Sequence, residues 1–235
     1  DPAPEPPALP DSFSDLLRGA GAVFLKDLRL ELRNQYAINT LFLFVASLLL
    51  LILFALGPGE ITPRIQSALI WIIILFSAAV GLGRAFVFEQ EQGTVLFLRL
   101  NTRPEMVYLG KLLFNALLIG TVNFGAVGAY WVLFNLSVPS TGLLVATLVL
   151  GSIGLAGATT LLSAIIARTA NQGPLFAVLA FPILVPLLLT VVGLTRSALL
   201  GGAWNTAGQE LLSLIGYAGV VITGSLLLFD FVWED

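Results

Sequence analysis

The side chains with the most chemical potential lie close together in residues 88–111, FEQEQGTVLFLRLNTRPEMVYLGK. Glu89 and Glu91 come first, then Gly93, which can take a left-handed turn that other residues disfavour. A half-apolar stretch over 94–100 follows, with Val95, Leu96 and Leu98 for one surface and Arg99 beside them. Thr102 is placed to cap a new helix, with Pro104 in its first turn and Glu105 three residues on. A short helix held on an acidic hinge in this way suits pressing against a second, cytoplasmic surface. The blander reading is a polar loop whose acids only solvate it.

Absences narrow the chemistry further. The chain has no His and no Cys. Imidazole catalysis, proton relays through His, thiolate nucleophiles and metal sites built on either ligand are therefore excluded. No G-x-x-x-x-G-K-[ST] phosphate loop occurs, so ATP is not bound in that way. A net charge of −3, a pI near 4.9 and the lack of a basic patch argue against nucleic acid. No catalytic, cofactor-binding or metal-binding residue is assigned.

The elements that position these residues are six long apolar runs, at 38–56, 65–87, 106–136, 143–167, 175–194 and 211–233. A bilayer core about 30 Å thick takes about 20 residues of apolar helix to cross. Each strong interior charge would cost about 2.5–3.5 kcal/mol, and the runs carry almost none away from their ends. Hydrophobic residues make up 57% and charged residues 11% of the chain, with a mean hydropathy of +0.97, which disfavours a soluble helical bundle. The expected fold is an all-α membrane protein of six transmembrane helices, a permease domain over 37–235. Its spans lack the Asp, Glu and Lys that ion-coupled transporters place at mid-membrane, so active transport would draw on a separate ATPase subunit. The segment 88–104 is then the natural contact, with Glu89, Glu91, Gly93, Thr94, Leu98, Arg99 and Arg103 as the expected ATPase-coupling residues. Lys111, at the foot of the third span, is expected to anchor that helix to lipid headgroups.

Charge gives an orientation. Arg18, Lys26, Arg29, Arg33, Arg84, Arg99, Arg103, Lys111 and Arg168 fall on one side of the six spans, and only Arg64 and Arg196 on the other. The positive-inside rule then puts both termini in the cytoplasm. Residues 1–11 are Pro-rich and acidic and read as a disordered leader without signal-peptide character. Over 12–36, Ser12 and Asp15 resemble a capping box. Phe13, Leu16, Leu17, Ala20, Phe24, Leu28 and Leu32 recur at helical steps with Arg18, Lys26, Arg29 and Arg33 between them. This predicts an amphipathic helix in the cytoplasmic interface, bent near Gly19 and Gly21.

Two intramembrane features stand out. Gly151, Gly154 and Gly157 recur every third residue, a small face for helix packing. Pro182 and Pro186 lie within the fifth span, where each removes a backbone donor and can bend the helix. Residues 196–209, with Gly201, Gly202 and Trp204, read as a short re-entrant or surface helix before the last span.

Three blocks carry a resemblance. The run Glu89-x-Glu91-x-Gly93-Thr94-x-x-x-Leu98, continuing to Pro104 and Gly110-Lys111, resembles the region after the second span of the CcmB family. Leu28-Arg29-Leu30-Glu31-Leu32-Arg33 is similar to the N-terminal segment of that family, and Pro182-Ile183-Leu184-Val185-Pro186 to its paired prolines. The blocks occur in order over about residues 24–232. The resemblance implies a type-2 ABC exporter-like permease subunit of a cytochrome c maturation complex in the bacterial inner membrane. It implies a CcmA-like ATPase, CcmC- and CcmD-like membrane subunits and a CcmE-like haem chaperone as partners, with ATP in the ATPase and haem at the level of the complex. A second copy of the chain and membrane lipid complete the expected partners. With no His, iron ligation would fall to Met106 or to Tyr36, Tyr108, Tyr130 and Tyr217, which favours a mechanical role. The competing readings are another type-2 exporter permease, for lipid, glycan or drug, and an ion-coupled transporter.

Overall fold

A computed structural model describes residues 13–56, 61–82, 102–166 and 172–234. Among them are seven helices and no strand: α1 (Phe13–Asn34), α2 (Tyr36–Leu56), α3 (Pro63–Leu82), α4 (Pro104–Phe134), α5 (Thr141–Ile166), α6 (Gln172–Leu199) and α7 (Trp204–Glu234). The helices from α2 to α7 are each long and apolar enough to cross a bilayer. Helices satisfy their own backbone groups where lipid offers no partner, so apolar runs of this length have one stable form in a membrane. The chain is a multi-pass membrane protein.

Burial separates centre from rim. In α5, 61% of the apolar window is buried, against 17% in α2 and in α7. α5 packs on α4, α6 and α7, α3 packs on α6, α2 on α3 and α4, and α1 lies against α4. The rim helices bury only narrow stripes; in α2 these are Leu41, Val45 and Leu49, four residues apart on one face. Inside, Trp71 of α3 is enclosed and its Nε1–H donates to Thr195 Oγ1 of α6 at 2.8 Å.

The connections are tight. Gln35, at φ 50°, turns the chain from α1 into α2. Its N–H donates to the Glu31 carbonyl, while the Glu31 carboxylate accepts from Ile38 N–H at 2.8 Å. That carboxylate satisfies an orphan amide in the first turn of α2 and sits at the positive end of the helix. At the opposite end of the bundle, Asn135 (φ 46°) closes α4 and Gly201 (φ 77°) turns α6 into α7. Ser140 ties these two loops, its N–H donating to the Ala198 carbonyl and its hydroxyl to the Gly202 carbonyl.

Two expectations change. Residues 196–209 form no separate helix: α6 continues through Arg196 to Leu199, and α7 already starts at Trp204. The cap of α4 is Arg103, extended at φ −76° and ψ 152° with no side-chain cap bond, and not Thr102. Gly19 marks a close approach: α1 runs as one helix through it, and a Cβ there would strike Met106. The expected leader over 1–11 lies outside the described residues.

Candidate coupling site at the foot of the third span

Ala20, Val23 and Asp27 step along one face of α1 and are buried. They meet the first turns of α4. A Cβ at Gly110 would come within 2.6 Å of Val23 Cβ and 2.7 Å of the Ala20 carbonyl, so the two backbones approach as closely as glycine allows. At the centre of the contact Lys111 Nζ donates to Asp27 Oδ2 at 3.2 Å, while Lys26 Nζ lies 3.1 Å from Oδ1 of the same carboxylate. Lys111 is 3% and Asp27 8% exposed. Taking two charges out of water is costly unless each satisfies the other, so this pair requires α1 to be seated on α4. Lys111 is therefore no headgroup anchor. It points into the α1–α4 contact, because an acid is docked within reach of its flexible stem.

Above Lys111 a polar stripe climbs α4 on its buried side. Asn115 Nδ2 donates to Thr160 Oγ1 and Asn123 Nδ2 to Ser152 Oγ, each at 2.8 Å. The second pair lies eight residues further up α4 and eight residues further back on the antiparallel α5, so both bonds belong to one register. Thr160 and Ser152 pass their own hydroxyl protons to the Ala156 and Leu148 carbonyls. Tyr108, enclosed between helices, makes a long 3.5 Å bond to the Gly157 carbonyl and packs its ring on Phe229 of α7, centroids 5.3 Å apart. Asn115 Oδ1 and Tyr130 Oη are buried and find no hydrogen-bond partner among the described residues.

The sequence-predicted residues fall in different places. Glu89, Glu91, Gly93, Thr94, Leu98 and Arg99 lie outside the described residues. Arg103 is described, at the N-cap of α4, two turns before Lys111. Gly151 faces Trp71 of α3 and Val191 of α6, Gly154 faces Leu187 of α6 and Tyr217 of α7, and Gly157 faces Val221 and Ile222 of α7. Steps of three on a helix of 3.6 residues per turn drift by about 60° each. The three glycines thus wind around α5 and meet its neighbours in turn. Pro182 and Pro186 lie on the outer side of an unbroken α6. Next to them the Ile183 carbonyl accepts from the Tyr217 hydroxyl at 2.8 Å, a bond that ties α6 to α7.

A sequence profile described as CcmB protein matches residues 18–231, from the basic side of α1 to the last turns of α7. The chain belongs to the CcmB family. Three relatives named Heme exporter protein B agree over most of its length. The protein of Rhodobacter capsulatus is 30% identical over 177 residues, covering 74% of this chain and 81% of the relative. That of Bradyrhizobium diazoefficiens is 27% identical over 204 residues, covering 86% and 91%. The Paracoccus denitrificans protein is 26% identical over 212 residues, covering 89% and 94%.

Within this CcmB-family chain, the residues that pattern reading passed over are Asp27, Asn115, Asn123, Ser152 and Thr160. A signal for them existed. Lys111, Asn115 and Asn123 are spaced by four and eight residues, a polar stripe on one side of an apolar helix, and Asp27 is in phase with Ala20 and Val23.

Proposed function

We propose that the chain is the permease subunit of an ABC transporter serving cytochrome c maturation, passing motion from a separate CcmA-like ATPase through the membrane. The observation that carries this reading is the seating of α1 on the foot of α4 through the buried Asp27–Lys111 pair, directly after the segment 88–104. A force applied to that segment or to α1 would reach α4 at once, because the pair and the glycine contacts leave no slack. The Asn115–Thr160 and Asn123–Ser152 bonds would then carry α5 along with α4. Glu89, Glu91, Gly93, Thr94, Leu98, Arg99 and Arg103 are the proposed contacts with the ATPase. On this reading the chain is a type-2 ABC exporter-like permease of the bacterial inner membrane, and the distribution of Lys and Arg supports cytoplasmic termini.

The name Heme exporter protein B borne by the relatives supports haem as the cargo of the complex. The donor set of this chain supports a mechanical part in it. The chain has no His, Met106 is packed against Gly19, Tyr108 and Tyr130 are enclosed in the bundle, the Tyr217 hydroxyl is given to Ile183, and of these donors Tyr36, at the start of α2, is the exposed one. On this reading the ATPase cycle drives release of a CcmE-like haem-loaded chaperone, with CcmC- and CcmD-like subunits in the same complex.

The test is assembly and coupling. The chain should co-purify with a phosphate-loop ATPase and a CcmC-like subunit. Glu89→Gln with Glu91→Gln should leave it inserted and abundant, since on this reading they meet the ATPase and not the core, and such acids contribute about 0–1 kcal/mol to folding. Loss of an interface charge pair costs about 2–5 kcal/mol in binding, so ATPase association and cytochrome c maturation should collapse. Normal assembly and maturation in the double variant would sink the coupling assignment.

A further inference from the structure

The face of α1 that turns away from α4 has a composition of its own. Successive residues advance about 100° around a helix. On that scale the docked residues Gly19, Ala20, Val23 and Asp27 share one sector of about 100°. Leu17, Leu25, Leu28 and Leu32 share a second, about 80° wide and roughly 150° away from the docked one. Arg18, Arg29 and Arg33 form a third row, about a quarter turn beyond the leucines. Leu17, Leu25 and Leu32 are 53%, 46% and 60% exposed. The three arginines are exposed too, and none is ion-paired with a described residue. Asp15, in the first turn, is the one acid on that side; Asp27 faces Lys111 and Lys26, and Glu31 is held by the Ile38 amide.

The depth of this face follows from α4. With 31 residues, α4 is about 46 Å long, against a hydrocarbon core of about 30 Å. Roughly 16 Å is left for the two ends. α1 meets α4 at Met106, Gly110 and Lys111, all within its first eight residues. The contact therefore sits at the headgroup end of α4. At that depth a leucine row bordered by arginines matches a bilayer surface: acyl chains cover the leucines while the guanidinium groups reach outward to phosphates.

We propose that the outer face of α1 is a docking surface for anionic phospholipid, with Arg18, Arg29 and Arg33 holding headgroup phosphates and Leu17, Leu25 and Leu32 set among the upper acyl chains. This rests on the place of the chain in a bilayer and not on the transport reading. The absence of Cys permits a direct test. An environment-sensitive fluorophore on Leu25→Cys is followed in the full chain, reconstituted in phosphatidylcholine vesicles. These contain a minority of acyl-brominated phosphatidylglycerol or the same fraction of brominated phosphatidylcholine. Each arginine at an anionic surface raises lipid association about fivefold, so the brominated anionic lipid should quench severalfold more strongly than the neutral one. Arg18→Gln, Arg29→Gln and Arg33→Gln together should bring the two lipids to equal quenching. Arg29→Gln alone should fall between, and added salt should narrow the ratio in the parent. Equal quenching by the two lipids in the parent, or a ratio untouched by these variants and by salt, would overturn the proposal. So would a probe open to aqueous iodide in vesicles and shielded only when an ATPase subunit is added, since the face would then belong to a protein partner. No ATPase activity is read, so failure here leaves the coupling reading standing.

Discussion

Lys111→Met removes the charge at the α1–α4 contact while keeping most of the length of the side chain. Asp27, 8% exposed, would lose the partner 3.2 Å from its Oδ2 and keep Lys26 at 3.1 Å on the other oxygen. Breaking a buried pair by removing one member costs about 3–5 kcal/mol. With Lys26 still in place the lower end applies, about 3 kcal/mol. Every 1.4 kcal/mol is tenfold, so the population with α1 lifted from α4 should rise about a hundredfold. Val23 reports this state, being buried against Gly110. Val23→Cys is the sole thiol in the chain and reacts with maleimide only when α1 lifts, so its labelling rate follows the open population when opening is fast. The rate should rise about a hundredfold in Lys111→Met. It should return to within about tenfold of the parent in Asp27→Leu with Lys111→Met, because replacing a whole buried pair by apolar residues is often neutral. A rate in Lys111→Met within about threefold of the parent would refute the argument that the ion pair seats α1.

The α4–α5 bonds should be additive, since they lie about 12 Å apart along the helices. Asn115→Ala and Asn123→Ala should each cost about 0.6–1.7 kcal/mol and the double variant their sum, read from unfolding of the purified protein in mixed detergent. Gly151→Ala should cost about 1–3 kcal/mol by overpacking, because the added methyl meets the Trp71 ring, which its bond to Thr195 keeps from moving. Gly216→Ala, with nothing within 4 Å of the new methyl, should be neutral or gain up to about 1 kcal/mol in helix propensity; equal effects at the two sites would deny glycine its packing role. Pro139→Cys and Ala203→Cys lie in the two loops joined by Ser140 and should both be labelled from outside the cell, and labelling of either from the cytoplasm alone would reverse the topology.

The number and place of the spans were legible in the sequence because bilayer thickness sets the length of an apolar helix, and no tertiary contact is needed to read it. The same holds for the amphipathic character of α1, whose 3.6-residue period is local, and for the ordered motifs that mark the CcmB family. Boundaries were legible only in part: the end of α6 and start of α7 carry Arg196, Trp204 and Gln209, polar enough to read as a loop yet helical once the turn at Gly201 is made. What only the tertiary structure decided is where side chains with several possible partners go. Lys111 could have reached headgroups or an acid, and its flexible stem allows both. The outcome depends on Asp27, 84 residues away, being delivered by the docking of α1. Asn115 and Asn123 could have met any polar group across the seam, and the register of α4 on α5 selects Thr160 and Ser152. The glycines of α5 read as one face and meet α3, α6 and α7, because a step of three falls short of a helical turn and the neighbours stand all around the helix. Periodicity belongs to one helix and is written in its sequence, whereas a partner is a relation between two helices and exists only after they pack.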